Sequence, residues 1–227
     1  MYSTSTGIPY RDDRFGVNNV ATTAASVSTY AALTAFGNPD LVLSVGTAGG
    51  FSQRGACIGD VFLSTKCVFH ARRIPEVAKD QRQNRYCVAL EEYGFGHFRS
   101  PNLIGLANAA NLKLGVVTTS DSLDYSGEDM ALMMSEGATV KEMEAAAVAW
   151  VCHHIGIPFV AIKTITDIVD ASQRSSENIQ GDLKNTRDEF ESNFNIAMTS
   201  LKEKLGSVLR LIDHVKLSDV QYLKSTE

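Results

Sequence analysis

Apolar residues follow two alternating patterns along the chain. Short runs that are apolar or alternate with polar residues are typical of buried strands, and they occur at 41–45, 61–69, 112–119 and 159–165. Longer segments with apolar residues at helical spacing lie before the first of these runs, at 17–36, and between the last two, at 138–155. This alternation predicts an α/β fold with a mainly parallel sheet.

The C-terminal part of the chain has the clearest helical pattern. Its apolar residues recur at steps of three and four, which predicts an amphipathic helix that packs on the core: Phe190, Phe194, Ala197, Leu201, Leu205, Val208 and Ile212. Residues 1–15 are polar and aperiodic, so we expect an irregular N-terminal segment, and residues 76–100 have no assignable pattern. Since repeats, linkers and low-complexity segments are absent, we expect a single domain over residues 1–227.

Composition narrows the class of protein. With 227 residues and 44% hydrophobic content, the chain can bury one sizeable core. The net charge of −5 argues against a nucleic-acid partner, and no apolar run approaches the ~20 residues of a membrane span. The four cysteines form no CxxC pair and have no histidine at metal-ligand spacing, so we expect no metal and a reducing, cytoplasmic location. The N-terminus lacks the pattern of a signal peptide.

Three segments at strand ends or helix starts can carry chemistry, because ligands of α/β sheets bind beyond the carboxyl ends of the strands. The first, 46–50, reads Gly-Thr-Ala-Gly-Gly and directly follows a predicted strand. Glycines let a loop turn tightly and bring its N–H groups close to an anion, a ribose or a water molecule. The alternative is a tight turn that needs glycine only for positive φ.

The second segment, 141–147, reads Lys-Glu-Met-Glu-Ala-Ala-Ala on the predicted helix 138–155. At helical spacing Met143 shares a face with Ala147, while Glu142 and Glu144 point elsewhere. The alanines after Glu144 allow close packing, and a carboxylate held there is a good acceptor for two neighbouring hydroxyls such as those of a ribose. The alternative is a glutamate that faces solvent.

The third segment, 164–170, contains Asp167 at the end of the predicted strand 159–165. A carboxyl group at this junction is half desolvated, which raises its pKa and can keep it protonated. A protonated acid in this place can donate a proton to a leaving group. The alternative is that Asp167 or Asp170 caps the segment that follows.

Six ordered motifs, which include these three segments, resemble one enzyme family. They read GTAGG at 46–50, GACIGD at 55–60, FHARRIP at 69–75, TSDS at 119–122, KEMEAAA at 141–147 and TDIVD at 166–170. In this order they resemble the 5′-methylthioadenosine/S-adenosylhomocysteine nucleosidases of plant type, in the purine nucleoside phosphorylase superfamily. The resemblance extends from about Phe15 to Val220.

The resemblance implies a three-layer α/β/α sandwich that forms homodimers and needs no cofactor. Members hydrolyse the N-glycosidic bond of methylthioadenosine, and in some cases of S-adenosylhomocysteine, during methionine salvage. Carried over to this chain, Asp167 protonates N7 of adenine and Thr166 helps to orient it. This is activation of a leaving group by one acid, unlike the two-carboxylate arrangement of ordinary glycosidases.

The resemblance also assigns the other residues of the site. Glu144 holds the ribose hydroxyls, Met143 lies against the sugar, and Lys141 and Glu142 belong to the same substrate-binding segment. Leu123 and Asp124 line the adenine site. The attacking water lies near Thr47 and its loop, with Lys163 behind them, and the loop residues are Gly46, Ala48 and Gly49.

The sequence also departs from the family pattern. Ala71 stands where Asp is usual, Ser120 stands where Gly is usual, and residues 76–98 form a longer segment than in plant-type members. The first strands of the family, with a glutamate that activates the water, have no counterpart before Gly16. Two alternatives therefore stay open: a phosphorylase of the same superfamily, and an inactive relative that binds or stores nucleosides.

Overall fold

The computed structural model describes residues 11–12, 16–37, 39–72, 96–170 and 179–223. Most of the expected irregular segment 1–15 lies outside these residues, and so does most of the 76–98 segment.

Strands and helices alternate through the described part of the chain. The strands are β1 (Arg11–Asp12), β2 (Val17–Asn18), β3 (Val42–Gly50), β4 (Val61–Phe69), β5 (Phe98–Arg99), β6 (Lys113–Thr119), β7 (Ala138–Glu142) and β8 (Phe159–Ile168). The α-helices are α1 (Ala21–Phe36), α2 (Ile104–Ala109), α3 (Gly127–Ser135), α4 (Ala145–Ile155) and α5 (Ile179–Ile212). Short 3₁₀ helices span Ser52–Arg54 and Leu217–Tyr222.

Six strands form one mixed sheet in the order β5-β4-β6-β7-β3-β8. Its longest ladders, β3 with β8 and β4 with β6, are parallel, as is β6 with β7. The start of β4 also pairs antiparallel with β8, with Val61 opposite Thr164, so the sheet curls back on itself. The predicted α/β class is confirmed, and the curled edge is a feature that the sequence did not predict.

Helices cover both faces of this sheet. Ala161 of β8 packs in one buried cluster with residues of α1 and α4, whereas its neighbours Val160 and Ile162 pack in a second cluster with residues of α2 and α5. Since consecutive strand residues point to opposite faces, the two clusters lie on opposite sides of the sheet. The sheet is thus buried on both faces, which explains the continuous apolar runs of its strands.

The predicted helix over 138–155 is wrong in its first part. Residues Ala138–Glu142 form the strand β7, all five of them are buried, and the helix α4 begins only at Ala145. Pairing of β7 with β6 on one side and β3 on the other overrides the helical preference of Ala, Lys and Glu.

Other element boundaries also differ from the predictions. The first long helix begins at Ala21 rather than at residue 17. The strand β3 continues through Gly46 to Gly50, so the predicted glycine loop is extended sheet, and none of its three glycines has positive φ. The strand β8 likewise continues to Ile168, so Asp167 lies within the strand and not after it.

The C-terminal helix is confirmed and is longer than its apolar stripe. Ala197, Leu201 and Val208 are buried against the sheet, as the spacing predicts. Phe194 is an exception, because 38% of it is exposed to solvent beside the ring of Phe190. None of the helices in the described residues has the length and apolar character needed to cross a membrane.

The helix α2 provides a paired test of the packing. Leu106 is only 1% exposed in the cluster shared with α5, whereas Ile104 on the same helix is 50% exposed. We expect Leu106→Ala to lower the free energy of unfolding by about 2–5 kcal/mol, because it leaves a cavity. The control Ile104→Ala should change it by no more than about 0.5 kcal/mol. Equal losses in urea denaturation would contradict the described packing.

Candidate active site

The strands β3 and β8 bring two of the predicted segments side by side. Gly46 pairs in register with Lys163, and Gly49 pairs with Asp167 after a register shift between Ala48 and Gly49. A Cβ atom at Gly49 would lie 2.7 Å from Oδ2 of Asp167, and one at Gly46 would lie 3.4 Å from Nζ of Lys163. Gly49 is therefore required for the close approach of Asp167, whereas a Cβ atom at Gly46 would make only an ordinary contact with Lys163, and neither glycine has the positive φ of a turn.

Asp167 is buried and held by its neighbour in the strand. The hydroxyl of Thr166 lies 2.9 Å from Oδ1 of Asp167 and 3.1 Å from the carbonyl oxygen of Ala48, which fixes the carboxyl group against β3. Capping falls to Asp170 instead, which accepts hydrogen bonds from the amides of Ser52 and Gln53 at 2.6 and 2.9 Å. This cap lies on a segment far earlier in the chain, whereas the segment after Asp170 lies outside the described residues, so the alternative of a cap on that segment stays a prediction.

A buried ion pair lies beside this strand. Oε2 of Glu142, at the end of β7, is 2.9 Å from Nζ of Lys163, and both side chains are almost completely buried. Glu142 also accepts hydrogen bonds from the amides of Glu144 and Ala145, at 2.8–3.0 Å, and from the hydroxyl of Thr119. The glutamate thus caps the start of α4 with both of its carboxylate oxygens.

The contact between Glu142 and Lys163 shifts the pKa of both side chains. Burial alone would raise the pKa of Glu142, but the Lys163 charge and the hydrogen bonds from Thr119, Lys163 and the Glu144 amide outweigh it and lower this pKa. Burial alone would lower the pKa of Lys163, but the charges of Glu142 and Glu144 raise it. Both groups are therefore charged at neutral pH.

Thr119 is a member of this network that the sequence analysis did not single out. It lies in register with Glu142 on the neighbouring strand β6, donates its hydroxyl to Glu142 and accepts the amide of Ala146 at 2.9 Å. Its position as first residue of the TSDS motif was the available signal, but nothing in that motif connects it to residue 142.

Glu144 occupies the N-cap position of α4, where its carboxylate reaches the start of α1. Its Oε1 accepts the amide of Ala21 at 3.0 Å. Burial and then the charge of Glu142 raise the pKa of Glu144. Ala21 has a φ of +67°, a strained conformation for a residue with a side chain, and such strain is often found at functional sites.

A second acid holds the same helix start. Oδ1 of Asp121 accepts hydrogen bonds from the amide and the hydroxyl of Thr22, at 2.8 and 2.6 Å. Asp121 belongs to the TSDS motif, so this motif and the KEMEAAA motif meet at the N-terminus of α1. In place of the usual glycine, Ser120 closes a small turn, with its hydroxyl 3.1 Å from the carbonyl oxygen of Ser122.

Lys141 supports the neighbouring loop. Its ammonium group donates to the carbonyl oxygens of Ser122 and Leu123 at 3.0 and 2.7 Å. The side chains of Leu123 and Asp124 are exposed, whereas Thr47 and Met143 are half-buried. The structure therefore places Lys141 behind the loop that carries the predicted adenine-site residues.

A cavity of about 490 Å³ opens on the other side of Thr119, between the ends of β4 and β6 and the helices α1 and α4. Its wall includes Thr22, Ser26, Phe69, Arg72, Asp121 and Trp150. Asp167 and Glu144 are absent from the described residues that line it, whereas Thr119, the partner of Glu142, is among them. Within the described residues, His, Cys, Asp and Glu form no group of three or more that would suit a metal ion.

Comparison with known proteins identifies similar sequences over nearly the whole chain. Residues 5–210 match the model of the phosphorylase superfamily. The chain is 40% identical to the 5′-methylthioadenosine nucleosidase of Arabidopsis thaliana, over 93% of this chain and 71% of the relative. It is 39% identical to the 5′-methylthioadenosine/S-adenosylhomocysteine nucleosidase of the same plant, over 93% and 74% of the two chains.

Comparison with solved structures agrees with the comparison of sequences. The apo structure of the Arabidopsis thaliana 5′-methylthioadenosine nucleosidase superposes with a TM-score of 0.75 at 37% identity, over 92% of this chain and 76% of that one.

The buried pair predicts a pH-dependent stability. We expect Glu142→Gln to lower the free energy of unfolding at pH 7 by about 3–5 kcal/mol, because Lys163 is left buried without its counter-ion. The folded pKa of Glu142 is below its ordinary 4.5, so its contribution is fully present above pH 4.5 and is lost as pH falls through the folded value. Urea denaturation between pH 3 and 7 should therefore show a smaller acid loss in the variant than in the unmodified protein.

The partly exposed pair Lys66–Glu136, with a separation of 2.6 Å, is the control. Glu136→Gln should cost no more than about 1 kcal/mol. Equal costs for the two substitutions would contradict a special role of the buried pair.

Proposed function

This chain belongs to the phosphorylase superfamily, among the plant-type 5′-methylthioadenosine/S-adenosylhomocysteine nucleosidases, and we propose that it hydrolyses the N-glycosidic bond of 5′-methylthioadenosine. The reaction releases adenine and serves methionine salvage. The three-layer α/β/α sandwich of nucleoside phosphorylases, as a single domain, is the arrangement that we assign to it. The observation that carries the proposal is the buried carboxyl group of Asp167, held between Thr166 and the glycines of β3.

Asp167 is the general acid of the proposed reaction. It protonates N7 of adenine, which makes the base a better leaving group as the bond between C1′ and N9 breaks. A proton donor must be held in one orientation, and the Thr166 hydroxyl, anchored on the carbonyl of Ala48, supports this. Gly49 leaves the space that the carboxyl group occupies.

Glu144 holds the ribose hydroxyls, with Met143 against the sugar. A carboxylate offers two oxygens to neighbouring hydroxyls, and their hydrogen bonds strengthen as the sugar approaches an oxocarbenium ion. The Ala21 amide on Oε1 and the start of α4 support a fixed direction for this side chain. Glu142 and Lys163 form a buried pair of opposite charges next to it.

Water attacks C1′ from the side of β3, near Gly46, Thr47, Ala48 and Gly49. The raised pKa of Lys163 keeps a positive charge behind this strand. The adenine ring lies against Leu123 and Asp124, whose loop is held by Lys141. The oxygen of the water bonds to C1′ as the bond to N9 breaks, and the base leaves as adenine protonated at N7. The water releases its second proton to solvent, and Asp167 takes up a proton from solvent for the next turnover.

The acid is tested by Asp167→Asn, which keeps the size of the side chain and removes its acidity. We expect the rate of adenine release from methylthioadenosine to fall at least about 100-fold, the typical contribution of a general acid. Asp170→Asn is the matched control, because Asp170 caps backbone amides, and it should keep most of the activity. Activity that survives Asp167→Asn would disprove the assignment.

The same assay separates the alternatives. We expect hydrolysis of methylthioadenosine in phosphate-free buffer. S-adenosylhomocysteine is assayed in parallel to determine whether it is also a substrate. Strict dependence on phosphate would identify a phosphorylase. Binding of methylthioadenosine without adenine release would identify an inactive nucleoside-binding relative.

We further propose that the protein is cytoplasmic and forms a homodimer through the face built by α1 and α4. This α1/α4 face carries the exposed apolar residues Val27, Tyr30 and Trp150. Clustered apolar residues of this kind support a protein contact, since they are otherwise hydrated. The cytoplasmic location is supported by the free thiols of Cys57, Cys67 and Cys152 within the described residues.

The dimer is tested by Tyr30→Arg. Tyr30 is 61% exposed on the α1/α4 face, and a charge buried there opposes association. Light scattering after gel filtration should give the dimer mass for the unmodified protein and the monomer mass for the variant. Ile196→Arg is the control, because Ile196 is equally exposed at 61% but lies on α5. A monomer before substitution would refute the proposal.

A further inference from the structure

We propose that Thr119 is a positioning residue for substrate binding, which acts through Glu142 and the start of α4 on Glu144. This inference rests on the proposed function, because it assigns to Glu144 the ribose hydroxyls of the substrate. Thr119 itself touches neither the sugar nor the base in this arrangement.

Thr119, at the end of β6, joins segments of the chain that are far apart in sequence. Its hydroxyl donates to Oε1 of Glu142, and its oxygen accepts the amide of Ala146 at 2.9 Å. A hydroxyl has one hydrogen and two lone pairs, so both contacts can be satisfied at once. Thr119 therefore ties the end of β6 to the end of β7 and to the first turn of α4.

The hydrogen bonds of Thr119 also fix the backbone of Glu144. The first turn of α4 presents three amides to two side chains: Glu144 and Ala145 donate to Glu142, and Ala146 donates to Thr119. Glu144 is the N-cap residue of that turn, so its backbone is held by the same bonds. Without the Thr119 hydroxyl, the Ala146 amide and one oxygen of Glu142 lose a buried partner.

Lys163 does not replace Thr119 in holding the carboxylate of Glu142. Its ammonium group holds Oε2 of Glu142 at 2.9 Å, whereas Oε1 accepts the Thr119 hydroxyl and, at 3.0 Å, the Ala145 amide. The ion pair thus fixes one edge of the carboxylate and the hydroxyl fixes the other. Both edges must be held for the turn that carries Glu144 to have a single orientation.

The test is Thr119→Val, which keeps the shape of the side chain and removes the hydroxyl. We expect kcat/KM for methylthioadenosine to fall by about tenfold, mostly through KM, because the acid Asp167 lies on another strand. Thr119→Ser, which keeps the hydroxyl, should restore the unmodified value to within about threefold.

Thr118→Val is the matched control. Thr118 is the preceding buried threonine of β6, and its hydroxyl donates to the carbonyl oxygen of Val140 at 3.1 Å without reaching Glu142. It loses one buried hydrogen bond where Thr119→Val loses two, and both sites are fully buried, so a general loss of stability would affect both variants. We expect kcat/KM of Thr118→Val to stay within about twofold of the unmodified value.

Binding without chemistry gives the decisive measurement. In an Asp167→Asn background, calorimetry should show that Thr119→Val weakens the binding of methylthioadenosine by about tenfold. An analogue that lacks both ribose hydroxyls cannot use Glu144, so its affinity should be the same with and without the substitution. Should Thr119→Val fail to fold, Thr119→Cys carries the same expectation, because a thiol is only a weak donor.

Two results would overturn the proposal: an equal loss of affinity for both ligands, and an equal loss from Thr118→Val. The failure of the proposed function is a different result, since an unmodified protein that releases no adenine refutes the nucleosidase activity while the calorimetry still reports on Thr119.

Discussion

The buried contact between Glu142 and Lys163 is the interaction on which the rest of the site depends. Two opposite charges are withdrawn from water at the junction of β7, β8 and α4, at a considerable desolvation cost. Well-packed apolar residues of similar volume often stabilise a fold as well as such a pair, so stability alone is a weak explanation for it. The geometry of the pair suggests a second explanation. The carboxylate of Glu142 accepts hydrogen bonds from two side chains and from the first turn of α4, so both the carboxylate and that turn are held in one orientation.

The glycines of β3 are the complement of this rigid centre. The strand pairs with β8, which carries Lys163 and Asp167. The side chain of Asp167 occupies the volume that a Cβ atom would take at Gly49. The backbone of β3 thus forms the floor of the site. In this architecture the missing side chains of one strand determine where the functional side chains of its neighbour lie.

Much of the frame was accessible from sequence, because strands that are buried on both faces have continuous apolar runs. The strand 159–165 was recognised for this reason, whereas residues 61–69 were assigned, with their observed limits, from their rough alternation. The strand β7 was missed because its five residues precede an alanine-rich helix and merge with it in any helical pattern. For the site, the order of the motifs pointed to Asp167 and Glu144. The partnerships of Thr119 with Glu142 and of Ala21 with Glu144 were not accessible, because they join segments 23 and 123 residues apart and leave no periodic trace.

The pairing of β4 with β8 has a consequence for how the molecule folds. It joins Val61 to Thr164, roughly a hundred residues away in the chain, and contacts between such distant segments form slowly because a long loop must close first. The strand that closes the sheet is also the one that carries Lys163 and Asp167. Asp167, the proposed acid, and Lys163, the counter-ion of Glu142, are therefore not in place until β8 has paired. Closure of the sheet and formation of the Glu142–Lys163 contact thus depend on the same strand, β8.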